Sequence, residues 1–321
     1  MAPTIDRPST STLYRAISCR ERVDVSPASM RLLATSDLHL GHRANRDALA
    51  ALPPHPDDWL IVAGDVGERV DHLVFALETL TPRFARVIWT PGNHDLWCPP
   101  DATDRTRGQA RYDELVAVCR SFGAITPEDP YLEWPDGTGT RIVPMFLLFD
   151  YSFRPPDVPL DAAIRWARET GVGASDELFL DPQPWPSRAA WCHARCDLTE
   201  ARLAALPAGE PTVLINHWPL RYDLARPPRV PRFSLWCGTM RTNDWHRRFH
   251  ARVVVSGHLH LRTTLWRSGV RFEEVSLGYP RDWQADRGLA WYLRDVLSDA
   301  SPASARFTPG RDPFFDHPVD V

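Results

Sequence analysis

The sequence predicts an α/β fold in which two β-sheets form a sandwich flanked by helices. Three observations predict it. Five apolar runs of strand character each lead into a block of polar, metal-ligating residues; the first three runs alternate with helical stretches; and two strand-like segments close the patterned part of the chain.

Taken in order, the pattern gives a strand over 31–36, a helix near 44–52, a strand over 59–63, a helix near 69–80 and a strand over 86–90. Strands separated by helices run parallel, so the first sheet begins as a βαβαβ unit. A helix follows over 111–122, and a strand over 141–149 suits a second sheet. The stretch 150–210, with Pro155, Pro156, Pro182, Pro184 and Pro186 ahead of a helix over 187–206, is longer than a simple connection needs. It is expected to be an insertion that caps the site, with a second variable loop at 218–245. Val213-Leu214-Ile215 and Val253-Val254-Val255 add buried strands, and closing strands over 262–267 and 270–275 complete the sandwich. This domain spans 30–300. Residues 1–29, rich in Ser, Thr, Pro and Arg, are expected to be a flexible leader, and 301–321 a partly ordered tail.

Composition narrows the function. With 321 residues and 43% apolar content, the chain can bury a large core. All 37 basic residues are Arg, so lysine Schiff-base chemistry and a lysine-bearing P-loop are excluded. The net charge of −4 and the lack of a basic run give no electrostatic footprint for nucleic acid. No apolar window is long enough for a membrane helix and no signal-peptide core is evident, so the expected location is cytoplasmic. Six scattered cysteines in a chain of this size are expected to be reduced thiols.

The polar blocks carry the chemistry. They are Asp37-Leu38-His39, Gly64-Asp65, Gly92-Asn93-His94-Asp95, His217 and Gly257-His258-Leu259-His260. Each lies at the end of an apolar run, and strand ends are where separate loops of a layered α/β fold converge. Alternate residues of a strand share a face, so Asp37 with His39, and His258 with His260, can each present two ligands together. Gly64, Gly92 and Gly257 permit tight turns beside them.

In type and order these blocks resemble the calcineurin-like metallophosphoesterase family, whose pattern is D-x-H, G-D, G-N-H followed by D or E, a lone His, and G-H-x-H. The resemblance covers roughly residues 30–275. It implies the family's four-layer αββα fold and a site for two metal ions. One ion would be held by Asp37, His39, Asp65 and His260, the other by Asp65, Asn93, His217 and His258, with Asp65 bridging. Such ligands suit Mn, Fe, Zn, Co or Ni, with Mn or Fe favoured. Ions about 3.5–4 Å apart activate a bridging water and clamp the oxygens of an in-line displacement at phosphorus. The resemblance makes His94 the catalytic histidine that assists the leaving group, and Asp95 is expected to orient it.

The implied reaction is hydrolysis of a phosphate mono- or diester in a small molecule or nucleotide. Gly64-Asp65 continues as Val66-Gly67-Glu68-Arg69 and the third block ends in Asp95, departures that weigh against a phosphoprotein phosphatase. A nuclease, a scaffold built on the metal site, and a redox-active metal pair in a biosynthetic reaction are the alternatives. Trp97, Tyr151, Phe153 and Trp218, together with Trp236, are candidates to line a substrate pocket, and Arg154, Arg221, Arg226 and Arg232 to hold phosphate. His42 stands equally as a substrate contact or a solvated loop residue. Cys192, His193 and Cys196 have metal-like spacing but lack a fourth ligand, so two inert thiols on a helix are preferred.

Overall fold

A computed structural model describes residues 30–99 and 106–298; the expected leader and tail lie outside the described residues. Among the described residues, ten strands form two sheets. The first contains β1 (Leu32–Thr35), β2 (His55–Ala63), β3 (Phe84–Thr90) and β10 (Arg294–Asp295), in the order β10-β1-β2-β3. The second contains β4 (Leu132–Glu133), β5 (Arg141–Pro144), β6 (Thr212–Ile215), β7 (Ala251–Ser256), β8 (Thr264–Arg267) and β9 (Val270–Glu274), in the order β4-β5-β6-β7-β9-β8. β1, β2 and β3 are parallel to one another, as are β5, β6, β7 and β9, while β10, β4 and β8 close the edges antiparallel.

The side-chain period of two divides each strand between two cores. Leu32, Ala34, Ile61, Ile88, Val213, Ile215, Val253 and Val255 meet between the sheets. The alternate residues Leu33, Leu60, Val62, Val87 and Trp89 face helices α1 (Arg43–Ala50), α2 (Val70–Leu80) and, beyond the short α3 (Asn93–Leu96), α4 (Gly108–Ser121). Two sheets face to face with helices outside give the expected sandwich. On the other side Val143, Leu214 and Val254 pack in the same cluster as Trp191, Cys192, Cys196 and Leu203 of α7 (Arg188–Ala204), which follows the short helices α5 (Ala163–Arg168) and α6 (Asp176–Phe179). Ser187 caps α7 through its side chain, accepting from the Ala190 N–H at 3.1 Å.

The expected strand over 141–149 stops at Pro144. Beyond it the Leu147 N–H donates to the Asn216 side chain at 3.0 Å instead of continuing the ladder, although Met145 to Phe149 stay buried. The loop after β6 holds three short 3-10 turns and then α8 (Trp245–Arg248). A parallel bridge between Ser36 and Ser276 joins the two sheets just beyond the carboxyl ends of β1 and β9. That junction is the floor of the site.

Candidate metal centre

The five polar blocks converge from the carboxyl ends of β1, β2, β3, β6 and β7. They do so from turns rather than from strand faces. Asp37 (φ 53°), His39 (φ 41°), Asp65 (φ 53°), His258 (φ 74°) and His260 (φ 54°) all occupy the left-handed region. That conformation costs a non-glycine residue about 1–2 kcal/mol, so it persists where surrounding contacts over-determine it. Those contacts are present: the Asp37 N–H donates to Gly64 O at 2.9 Å, His39 N–H to Asp65 O at 3.1 Å, and Gly257 N–H to His217 O at 2.9 Å. Gly64 needs its glycine for a φ of 87°. Gly92 and Gly257 need theirs for space, since a Cβ would lie 2.1 Å from Asp65 Oδ1 or 2.4 Å from Asp37 Oδ2.

Two groups of donor atoms result. In one, His260 Nε2 lies 3.0 Å from Asp37 Oδ1 and 3.2 Å from His39 Nε2. In the other, Asn93 Oδ1 lies 3.1 Å from both His217 Nε2 and His258 Nδ1. Asp65 stands between them, with Oδ2 3.4 Å from His217 Nε2 and Oδ1 accepting the His94 N–H at 2.8 Å. Ser36 and Ser276 hydroxyls donate to Asp37 Oδ2 at 2.6 and 2.8 Å and fix that carboxylate. The Ala63 carbonyl, 2.9 Å from His217 Nδ1, leaves Nε2 facing the cluster.

The electrostatics favour cations there. Asp37 and Asp65 are almost completely buried, and burial alone would keep them neutral; the facing imidazoles, His260 for Asp37 and His217 for Asp65 foremost, hold both carboxyls well below their usual range. Burial pushes His39 down to about 4 and His258 down to about 3, leaving the neutral rings a metal requires. Burial also opposes protonation of His217 and His260, but Asp65 and Asp37 outweigh it and push them up to about 10 and about 9. The cluster thus demands positive charge that only protons on its own rings would otherwise supply. Carboxylate, imidazole and amide donors in this arrangement fit transition-metal ions.

His94 lies beside both groups, its ring centroid 4.6 Å from that of His39. Its Nδ1 is 2.8 Å from Glu68 Oε1. An ionised carboxylate only accepts, so Nδ1 carries the proton and Nε2 is directed away from Glu68, into the site. Burial opposes a charge on His94, yet Asp65 and Glu68 hold it above its ordinary value. The expectation that Asp95 orients His94 is therefore corrected. The Asp95 carboxylate is engaged by the backbone N–H groups of Asp65, Val66, Gly67 and Gly92, at 2.8 to 3.2 Å, and ties two site loops together. Glu68 was visible in the sequence only as the third residue after Asp65. Behind the imidazole, Trp97 lies with its ring centroid 3.7 Å from that of His94, and its Nε1–H donates to Asp176 Oδ1 of α6 at 3.0 Å.

A cleft of about 470 Å³ opens over the cluster. Asp65, Asn93, His94, His258 and His260 line its base; Pro227, Arg229, Val230, Phe233 and Leu259 form one wall, and Tyr279, Arg281 and Asp282 the other. The proposed substrate contacts Tyr151, Phe153, Arg154, Trp218 and Arg221 do not line it, and Trp97 reaches it only through His94. Phe153 and Trp218 are core residues. Tyr151 and Trp236 bond to Glu177. Arg154 is occupied by the carbonyls of Val158 and Tyr151, Arg221 by Asp223, and Arg232 by Glu169, while Arg226 lies over Tyr222. His42 touches Tyr279 edge-on. His193 pairs with Asp150, and Cys192 and Cys196 are buried free thiols.

The calcineurin-like phosphoesterase family model matches residues 30–262. The chain is 49% identical over 285 residues to "[Acyl-carrier-protein] phosphodiesterase PptH" of Mycobacterium tuberculosis, covering 88% of this chain and 87% of that protein. The crystal structure of "Phosphopantetheinyl Hydrolase (PptH)" from the same organism superposes with a TM-score of 0.80 at 48% identity, covering 87% of this chain and 98% of that one. This chain belongs to the calcineurin-like phosphoesterase family. As a member of that family it is a metal-dependent hydrolase of phosphoester bonds, and its fold is the metallophosphoesterase fold. Divalent metal ions go with the family, and the phosphoesterase's His/Asp cluster can hold them. Among the described residues no helix is long and apolar enough to cross a membrane.

Proposed function

We propose that this phosphoesterase cleaves the phosphodiester linking a phosphopantetheine arm to a serine of an acyl carrier protein. The observation that carries this reading is the 49% identity to an acyl-carrier-protein phosphodiesterase over nearly the whole of both chains. The open cleft supports it, because a serine on a folded partner needs a site reachable from the protein surface. The small-molecule phosphoester expected from sequence is then a protein-bound one.

Two ions would be held, one by Asp37, His39, Asp65 and His260, the other by Asp65, Asn93, His217 and His258, with Asp65 common to both. Bound there, they supply Lewis acidity toward the phosphoryl oxygens and an activated water. Asp37 is fixed by Ser36 and Ser276, and His260 by Asp282 at 3.2 Å from Nδ1, so the donor atoms are oriented before any ion arrives. His94 gives its Nε2 proton to the departing serine oxygen while Glu68 stabilises the charged ring. In the balanced reaction, water's oxygen forms the new bond to phosphorus as the bond from phosphorus to serine oxygen breaks, and the proton released by water restores the one that His94 gave to serine. The products are apo carrier protein and free 4′-phosphopantetheine.

The test is incubation of a holo carrier protein with manganese- or iron-loaded enzyme, followed by intact-protein mass spectrometry. Appearance of the apo form, abolished by Asp65→Asn, is the expected result. Turnover of a nucleotide diester with the holo carrier protein left intact would overturn the assignment.

A further inference from the structure

The two walls of the cleft differ in chemistry. One is made by the 227–233 loop with Leu259: Val230 is 42% exposed there, Phe233 stacks on His258 with centroids 5.5 Å apart at 22°, and Arg229 supplies a cation. The other is made by the 279–282 loop. Tyr279 stacks on His39 at 4.4 Å and 22°, with the Arg281 guanidinium 5.0 Å above the tyrosine ring and Asp282 alongside. Val230, Phe233 and Leu259 together give this part of the cleft an apolar lining, which fits a hydrocarbon group.

His94 breaks the symmetry between the walls. It adjoins His39, which carries Tyr279, whereas Phe233 lies across the cluster on His258. A group that protonates a leaving oxygen must stand on the leaving side of the phosphorus. The leaving oxygen therefore lies toward Tyr279; the retained ester oxygen is off the line from attacking water to leaving oxygen, and the rest of the cleft lining, toward Phe233, is left for the half that keeps the phosphate.

Resting on the carrier-protein reading, we propose that Val230, Phe233 and Leu259 bind the branched hydrocarbon of the phosphopantetheine arm, while Tyr279 and Arg281 face the polypeptide that carries the serine. The chemistry of each half matches its wall. The arm begins with a quaternary carbon bearing two methyls, which suits the apolar side, and its phosphate gains negative charge on hydrolysis, which Arg229 on the same loop offsets. The polypeptide brings a polar, hydrated surface to the polar side. The phosphate and arm stay together on one wall while the serine departs along the other.

The experiment compares three substrates: holo carrier protein, a small phosphopantetheinyl aryl diester without polypeptide, and bis(p-nitrophenyl) phosphate without an arm. Val230→Asp is expected to lower kcat/KM for both arm-bearing substrates about tenfold more than for bis(p-nitrophenyl) phosphate, and Val230→Leu to restore it. Arg281→Glu is expected to raise KM for the carrier protein about fivefold more than for the small phosphopantetheinyl diester. In calorimetry Val230→Asp should weaken 4′-phosphopantetheine about tenfold relative to inorganic phosphate. Equal losses on all three substrates, or the reverse pattern between the two positions, overturn the division of the cleft. Wild-type turnover of bis(p-nitrophenyl) phosphate with none of the carrier protein overturns the carrier-protein reading and the division with it.

Discussion

Glu68→Gln isolates the proton-handling half of the site from its metal-binding half. Glu68 Oε1 lies 2.8 Å from His94 Nδ1, and Glu68 belongs to none of the candidate metal-holding groups, so glutamine keeps an acceptor at the same place and removes only the charge. A hydrogen bond to a charged group contributes about 1.5–3 kcal/mol. The Glu68 side chain is 31% exposed, so solvent screening places the loss near the lower end, about 1.5–2 kcal/mol. At about 1.4 kcal/mol per tenfold, the expected fall in kcat is about 10- to 30-fold for a diester whose leaving group is an alkyl alcohol, which needs a proton as it departs. With p-nitrophenolate leaving, no proton is needed and the fall should be under about threefold. The assay is steady-state kinetics on the two diesters with metal content measured alongside. Equal losses for both leaving groups, with metal retained, would refute the assignment of His94 as the proton donor held by Glu68.

Metal depletion should abolish turnover and lower the melting temperature by about 10 °C, because a ligand at about a thousandfold its dissociation constant stabilises by about 4 kcal/mol; a calorimetric scan before and after reloading checks this. Gly92→Ala should cost metal binding and activity together, since its Cβ would lie 2.1 Å from Asp65 Oδ1, and metal analysis of the purified variant reads it out. Trp97→Ala removes the ring packed on His94 and should lower kcat about tenfold with metal content retained. Glu128→Gln leaves the Arg195 guanidinium, 2.7 Å away and buried, without its charge partner, a loss of about 2 kcal/mol in denaturant titrations at pH 7 after allowance for the 29% exposure of Glu128. Burial raises the Glu128 carboxyl, but Arg195 and Tyr112 outweigh it and hold it below its usual value. A depressed folded value stabilises above the ordinary glutamate range and is lost as pH falls through it, so the gap between wild type and variant should close below about pH 4.

The sheet core and the His/Asp cluster at its strand ends were legible in the sequence for one reason. Both are written in local pattern: buried parallel strands read as short apolar runs, and each candidate donor sits within four residues of a strand end. The two-residue edge strands β4 and β10 are too short to leave any periodicity. The D-x-H and H-x-H spacings pointed to residues that do converge, but by a different geometry from the one expected. Side chains two apart converge in the structure because both members of each pair take the left-handed conformation at the end of a strand, and nothing in residue type announces that. Asp95 and Glu68 show the same limit from another side. Adjacency to His94 suggested Asp95, yet its four backbone partners come from the strand ends and the turn after β2, and the residue that reaches the imidazole belongs to that turn.

The substrate wall was the least legible part, and the physics of long side chains explains why. Aromatic density drew attention to Trp218, Phe153 and Tyr151, but these rings pack or hydrogen-bond beneath the site, where a folded chain puts most of its aromatic area. Arginine presents five donors, so in a chain without lysine most guanidinium groups find a carbonyl or carboxylate inside the fold and leave few for a ligand. Arg229 and Arg281 face the cleft because the 227–233 and 279–282 loops place them beside the metal donors, a matter of tertiary position alone. On the proposed reading, a donor set fixed by strand ends prescribes the phosphoester chemistry, while the loops that rise around it select the alcohol on each side of the phosphorus.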